Sequence, residues 1–136
     1  MRTVFADTGY WIALINPNDN LHSKAREITQ TLYPLKIITS EMVFVECLNA
    51  FSDKGTWLKQ SMIKLIHRSK NNPNITVYPQ DQEMFMSALE LYQNRLDKSW
   101  SLTDCASFNI MKKHNILEAL AHDQHFIQAG FNALLR

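Results

Sequence analysis

The chain has 136 residues, 46% of them apolar, and a formal net charge of +1. That is one ordinary domain, residues 1–136, with enough apolar mass to fill a core. The charge balance excludes a surface that is basic all over, as general polyanion binders carry. Three glycines and four prolines are too few for long disordered segments.

No run of about 18 apolar residues is present, so no membrane-crossing helix is expected. Arg2 leads at once into strand-like residues and Asp7, without the basic region and cleavage site of a signal peptide. Cys47 and Cys105 lie far apart, each in an apolar helical pattern. They are expected to be buried thiols of a cytoplasmic protein, neither a disulfide nor a metal site, since no Cys-x-x-Cys or Cys/His cluster exists.

In chain order, Val4-Phe5-Ala6 is a buried parallel strand that ends on Asp7 and runs into a helix from Tyr10. Ligands of open α/β sheets bind at the carboxyl ends of the strands, which puts Asp7 at the mouth of a site. A helix-capping role for Asp7 is equally open. The turn cluster Asn16 to Asn20 precedes a helix over Leu21–Leu32 with Ala25, Ile28 and Leu32 inward, closed by Pro34. Lys36–Thr39 is a strand. Ser40 caps a helix over Glu41–Asp53 whose core face is Phe44, Cys47, Leu48 and Phe51. Trp57–Ser69 is helical, with Trp57, Leu58, Met62, Leu65 and Ile66 inward. Ile75–Tyr78 is the third strand. Asp81–Asn94 is a helix with Phe85, Ala88, Leu89 and Tyr92 inward. A loop at Asp97–Trp100 leads to a helix from Ser101 to about His114, then a fourth strand over Ile116–Ala121 and a short closing segment, Phe126–Leu135. Alternation of this kind predicts an α/β domain, a mostly parallel sheet flanked by helices.

Four of the 13 acids stand out by position. Asp7 ends the first strand and Asp123 follows the last. Glu46 lies inside the apolar helix VFVECLNAF, and Asp104 opens a helix at SLTD. Taken singly, Glu46 fits a helix edge, Asp104 a capping box with Ser101, and Asp123 a turn. Converging carboxylates repel unless a divalent cation joins them, and oxygen-rich clusters suit Mg²⁺ or Mn²⁺.

These residues resemble the PIN-domain ribonucleases, and in particular the VapC-type toxins of bacterial toxin–antitoxin pairs. The likeness runs through the whole chain in four blocks: VFADTGYWIALIN with Asp7, ITSEMVFVECLNAF with Glu46, SLTDCASFNIMKKHNI with Asp104, and ALAHDQHFIQAGFNALL with Asp123. The resemblance implies a PIN-like fold and an endoribonuclease in which Asp7, Glu46, Asp104 and Asp123 bind one or two Mg²⁺ or Mn²⁺ ions. Those ions activate a water that cuts a phosphodiester bond of RNA. Thr8 and Thr103 match small hydroxyl positions beside the acids, suited to hydrogen-bonding the ligands or water. It further implies a small antitoxin that blocks the site and, often, a homodimer; Trp11, Trp57 and Trp100 are candidates for such contacts and equally for the core. His122 departs from the pattern, since a small or hydroxyl residue is more usual before the last acid.

RNA must also be held. Lys54, Lys59, Lys64, His67, Arg68 and Lys70 crowd one helix and its ends, with no acid between Asp53 and Asp81, and Lys112, Lys113 and His114 form a second group. Lys59, Lys64, Arg68, Lys112 and Lys113 are therefore the candidate phosphate contacts, although charge runs are usually solvated helix faces. A haloacid-dehalogenase-type phosphatase needs a second aspartate two residues after the first, where this chain has Gly9. A phosphoacceptor domain needs paired acids near the first strand and a lysine after the last, and neither is present. A PIN scaffold that binds RNA or protein without cutting is the remaining alternative, and it should not need the ion.

Overall fold

Val4, Phe5 and Ala6 are fully buried, as the centre of a covered sheet requires. In the computed structural model, which describes residues 1–136, they belong to β1 (Arg2–Ala6). The order continues α1 (Thr8–Ile15), α2 (His22–Leu32), β2 (Leu35–Ser40), α3 (Glu41–Phe51), α4 (Thr56–Asn71), β3 (Ile75–Tyr78), α5 (Gln82–Asn94), α6 (Leu102–Lys113), β4 (Glu118–Leu120), α7 (Gln124–Gln128) and β5 (Asn132–Ala133). The five strands are all parallel in the order β3-β2-β1-β4-β5.

That order places the site. From β1 the chain moves outward to β2 and β3, then returns past β1 to β4 and β5. The strand order reverses between β1 and β4, and a crevice opens there beyond the carboxyl ends of the strands. Ala6 pairs with Leu120, and the Asp7 N–H donates to the Leu120 carbonyl at 3.2 Å. The residues after both strands, Asp7 and Asp123, are thereby delivered to the same end of the sheet.

Local chemistry sets the helix starts. The Ser40 hydroxyl accepts from the Val43 N–H, as its capping role requires. Asp81 does the same for Met84, so α5 begins one residue later than the pattern suggested. α6 carries a complete capping box between Ser101 and Asp104.

Beneath the crevice Phe108 is a hub. It packs edge-on to Trp100 and Phe126, with centroids 5.0 Å away in both cases, and lies 5.8 Å from Phe131. This cluster ties α6 to the α7–β5 segment, which carry Asp104 and Asp123. Glu118, an acid inside a strand, is explained by a bidentate pair with Arg2, 2.7 Å at its Nε.

Several expectations are corrected. The sheet has five strands, because the closing segment contains α7 and a two-residue β5. β4 is limited to Glu118–Leu120, since the Ile116 N–H turns back to Met111. Trp57, expected inward, is exposed on the first turn of α4, while for Trp11 and Trp100 the core alternative holds, since both are buried. On α5 the inward face is Met84, Ala88 and Leu91, leaving Phe85, Leu89 and Tyr92 exposed.

The aromatic hub yields a stability prediction. Phe108→Ala should cost about 3–5 kcal/mol of unfolding free energy in urea titration, the usual loss for a buried phenylalanine. Phe108→Leu should cost markedly less. A loss under about 1 kcal/mol for the alanine variant would contradict the packing described.

Candidate active site

Twelve residues, none hydrophobic, line an open cleft of about 560 Å³ at the crevice. Asp7, Thr8, Glu46, Asp104 and Asp123 are among them, with Gly9, Ser99, Ser101, His122, Gln124, His125 and Arg136. The four acids singled out in the sequence therefore meet in one place, from four different elements. Thr103 is buried in the first turn of α6 and is not among the lining residues.

Asp7 holds the N-cap position of α1, yet its side chain makes no capping hydrogen bond. A cap alone does not account for it. The residue is only 8% exposed. Burial pushes its carboxyl up to about 8, against a backbone N–H at Thr8 that pulls it down, and the charges of Asp104, Glu46 and Asp123 push further up. A cation among these acids would reverse that pressure.

Glu46 faces the cleft from the middle of α3, where the Thr8 hydroxyl donates to its Oε1 at 2.6 Å. The Cys47 thiol contacts the Thr8 carbonyl at 3.8 Å, so adjacent α3 residues grip the start of α1. Both cysteines are free and buried, and burial raises both thiols.

Asp104 combines the two roles open to it in the sequence. Its Oδ2 accepts the Ser101 N–H at 3.0 Å, closing the capping box, while the residue also lines the cleft. Asp123 caps α7 through Oδ1 and the His125 N–H, also at 3.0 Å. His125 lies between the two aspartates; ligand atoms of Asp104, Asp123 and His125 all fall within 4.8 Å of one another. The sequence reading missed His125. Its only signal is the spacing Asp-x-His, which is common in turns.

His122 is a fastening rather than an intrusion. Its Nδ1 is 3.0 Å from the Leu135 carbonyl, and its own carbonyl accepts from Arg136 at 3.0 Å. Arg136 is thereby drawn to the cleft, and the basic groups lining it are His122, His125 and Arg136. The lysines and arginine chosen from the sequence lie elsewhere. Lys64 and Arg68 border a hollow with Trp11 and Ile75, Lys113 one beside Tyr78, and Lys112 one near Trp100, while Lys59 is exposed on α4.

The family model of the PIN domain matches residues 4–132. The chain belongs to the PIN-domain family. In sequence it is 28% identical over 131 residues to the 23S rRNA-specific endonuclease VapC20 of Mycobacterium tuberculosis, covering 94% of this chain and 95% of that one. The crystal structure of VapC20, described as a sarcin-ricin loop cleaving toxin, matches with a TM-score of 0.82 at 24% identity over 94% of this chain and 95% of that one. The FitAcB structure from Neisseria gonorrhoeae matches with a TM-score of 0.64 at 14% identity, covering 96% and 95%. These likenesses in fold extend along most of the chain.

The raised Asp7 carboxyl gives a pH prediction. An unfolded aspartate ionises near 3.8 and the folded one at about 8. Between these values the unfolded state has lost a proton that the folded state keeps. Stability without metal therefore falls as pH rises through that window. In EDTA, Asp7→Asn should match the wild-type Tm near about pH 4 and exceed it by a few degrees near about pH 9. An offset that stays constant across the range would contradict the buried, crowded carboxyl.

Proposed function

We propose that this PIN-domain protein is a metal-dependent endoribonuclease, the toxin of a toxin–antitoxin pair, and that residues 1–136 act as one nuclease domain in the cytoplasm. The observation that carries this reading is the all-polar cleft in which Asp7, Glu46, Asp104 and Asp123 converge. VapC20, a named 23S rRNA endonuclease whose sequence aligns over 94% of this chain, supports the RNA-cutting activity.

The donor set fits a hard divalent ion, Mg²⁺ or Mn²⁺. The four acids supply carboxylate oxygens beside hydroxyls and two imidazoles, and no thiolate faces the cleft. Asp7, Glu46, Asp104 and Asp123 would hold the ion. When bound, it supplies a water of lowered pKa and positive charge against the phosphate. The protein's own part is orientation. Thr8 fixes Glu46 by its 2.6 Å hydrogen bond. Ser101 fixes Asp104 through the capping box. Thr103 supports the same turn from the buried side of α6, where its carbonyl accepts the Ser107 hydroxyl. Arg136, the permanently charged group at the rim, faces the incoming phosphate. Lys59, Lys64, Arg68, Lys112 and Lys113 engage flanking phosphates, away from the bond that is cut.

An antitoxin partner and a homodimer belong to the same reading. The exposed ridge of Phe85, Met86, Leu89 and Tyr92 on α5 supports a protein contact, because contiguous apolar surface of this kind marks interaction sites.

Purified protein should cut 23S rRNA, or another labelled RNA, in Mg²⁺ or Mn²⁺ and not in EDTA. Asp7→Asn and Asp104→Asn should each lower the rate at least about a hundredfold while the fold persists. Cutting that survives EDTA or both substitutions would overturn the metal-dependent reading. RNA binding that is indifferent to the ion, with no cleavage of any RNA, would favour the non-catalytic scaffold.

A further inference from the structure

Asp104 and Asp123 come from separate elements, and His125 touches both. Its Nδ1 lies 3.0 Å from Asp104 Oδ2 and 3.3 Å from Asp123 Oδ2, and its backbone N–H donates to Asp123 Oδ1 at 3.0 Å. Ionised carboxylates only accept hydrogen bonds, so the Nδ1 bonded to Asp104 is the protonated nitrogen of the ring, and Asp123 Oδ2 lies within ion-pair distance of it. With the Ser101 N–H also on it, Asp104 Oδ2 has both lone pairs engaged. Asp104 Oδ1 has no partner in the protein. The backbone at His125 is anchored, because the next residue, Phe126, is fully buried against Phe108.

We propose that His125 is a positioning residue of the metal site, an outer donor that sets the spacing of Asp104 and Asp123 without ligating the ion itself. The proposal rests on the four-acid metal site described above. Two observations favour an outer role. The nitrogen facing the acids is already committed to Asp104. The four acids offer oxygens, which hard divalent ions prefer. A ring that bonds Asp104 and lies 3.3 Å from Asp123 Oδ2 sets the separation of the two carboxylates, and that separation governs how well an ion seats between them. Partners of this outer kind change metal affinity by about 10–100-fold when removed.

The test is calorimetric titration of MnCl₂ into wild type, His125→Ala, His125→Asn and His125→Gln. Each protein is also melted in EDTA to show that it is folded. The expected result is affinity lower by about 10–100-fold in His125→Ala. His125→Asn should remain close to wild type, because the Asn Nδ2–H stands where the imidazole Nδ1–H does. His125→Gln, whose amide reaches the Nε2 position instead, should resemble the alanine variant. Electron spin-echo modulation of the Mn²⁺-loaded wild type should show no directly coordinated nitrogen. Wild-type affinity in a folded His125→Ala would overturn the proposal and leave the metal site standing. Loss without rescue by Asn, or a coordinated nitrogen in the spin-echo spectrum, would overturn the outer-donor role. Absence of Mn²⁺ binding in wild type would remove the metal site itself, and the proposal with it.

Discussion

Like charges brought into one cleft repel, and this repulsion is the constraint around which the cleft end of the molecule is arranged. Asp7 is almost fully buried, and its carboxyl is driven to about 8 by burial and by three neighbouring acids. Such an arrangement is costly unless protons or a cation relieve it. The protein spends backbone N–H groups on the acids it can reach: Ser101 on Asp104 and His125 on Asp123. It spends the Thr8 hydroxyl on Glu46. What these donors leave over, above all at Asp7, is the charge that a divalent ion would satisfy.

Topology makes the crowding unavoidable. A parallel sheet whose order reverses next to its first strand brings two strand ends together, with Asp7 directly after β1 and Asp123 shortly after β4. The remaining two acids arrive on helices. α3 presents Glu46 where the Cys47–Thr8 contact joins it to α1. α6 presents Asp104 from its first turn, so one carboxylate both stabilises the helix start and lines the cleft. The aromatic hub on Phe108 then locks α6 to α7, so that Asp104 and Asp123 are held as a pair by packing as well as by His125.

Much of this was legible in the sequence, for identifiable reasons. Asp7 and Asp123 stood out because each follows a short apolar run at a strand end, although capping or a turn accounted for either one taken singly. The Ser101 capping box gave Asp104 a structural role that was legible in the sequence, and its place beside the cleft emerges only with the fold. The failures are equally physical. α5 carries Met84, Phe85, Met86, Ala88, Leu89, Leu91 and Tyr92, enough apolar residues for two overlapping stripes, and the pattern alone does not choose between them. α7, with five residues, and β5, with two, are shorter than any periodicity can register. The basic runs of α4 and the end of α6 advertise charge but not direction, and they border other hollows. Arg136 reaches the cleft only because His122, Leu135 and the sheet edge fold it back, a consequence of tertiary hydrogen bonds that no local motif records.

The central claim is that the four acids form one divalent-ion site at the sheet switch point. Anomalous diffraction from crystals soaked in Mn²⁺ tests it most directly. The account predicts a manganese peak within the cleft, with oxygens of Asp7 and Asp104 among its ligands, and loss of that peak in Asp7→Asn crystals. Manganese bound only elsewhere, in crystals of protein that cuts RNA, would contradict it.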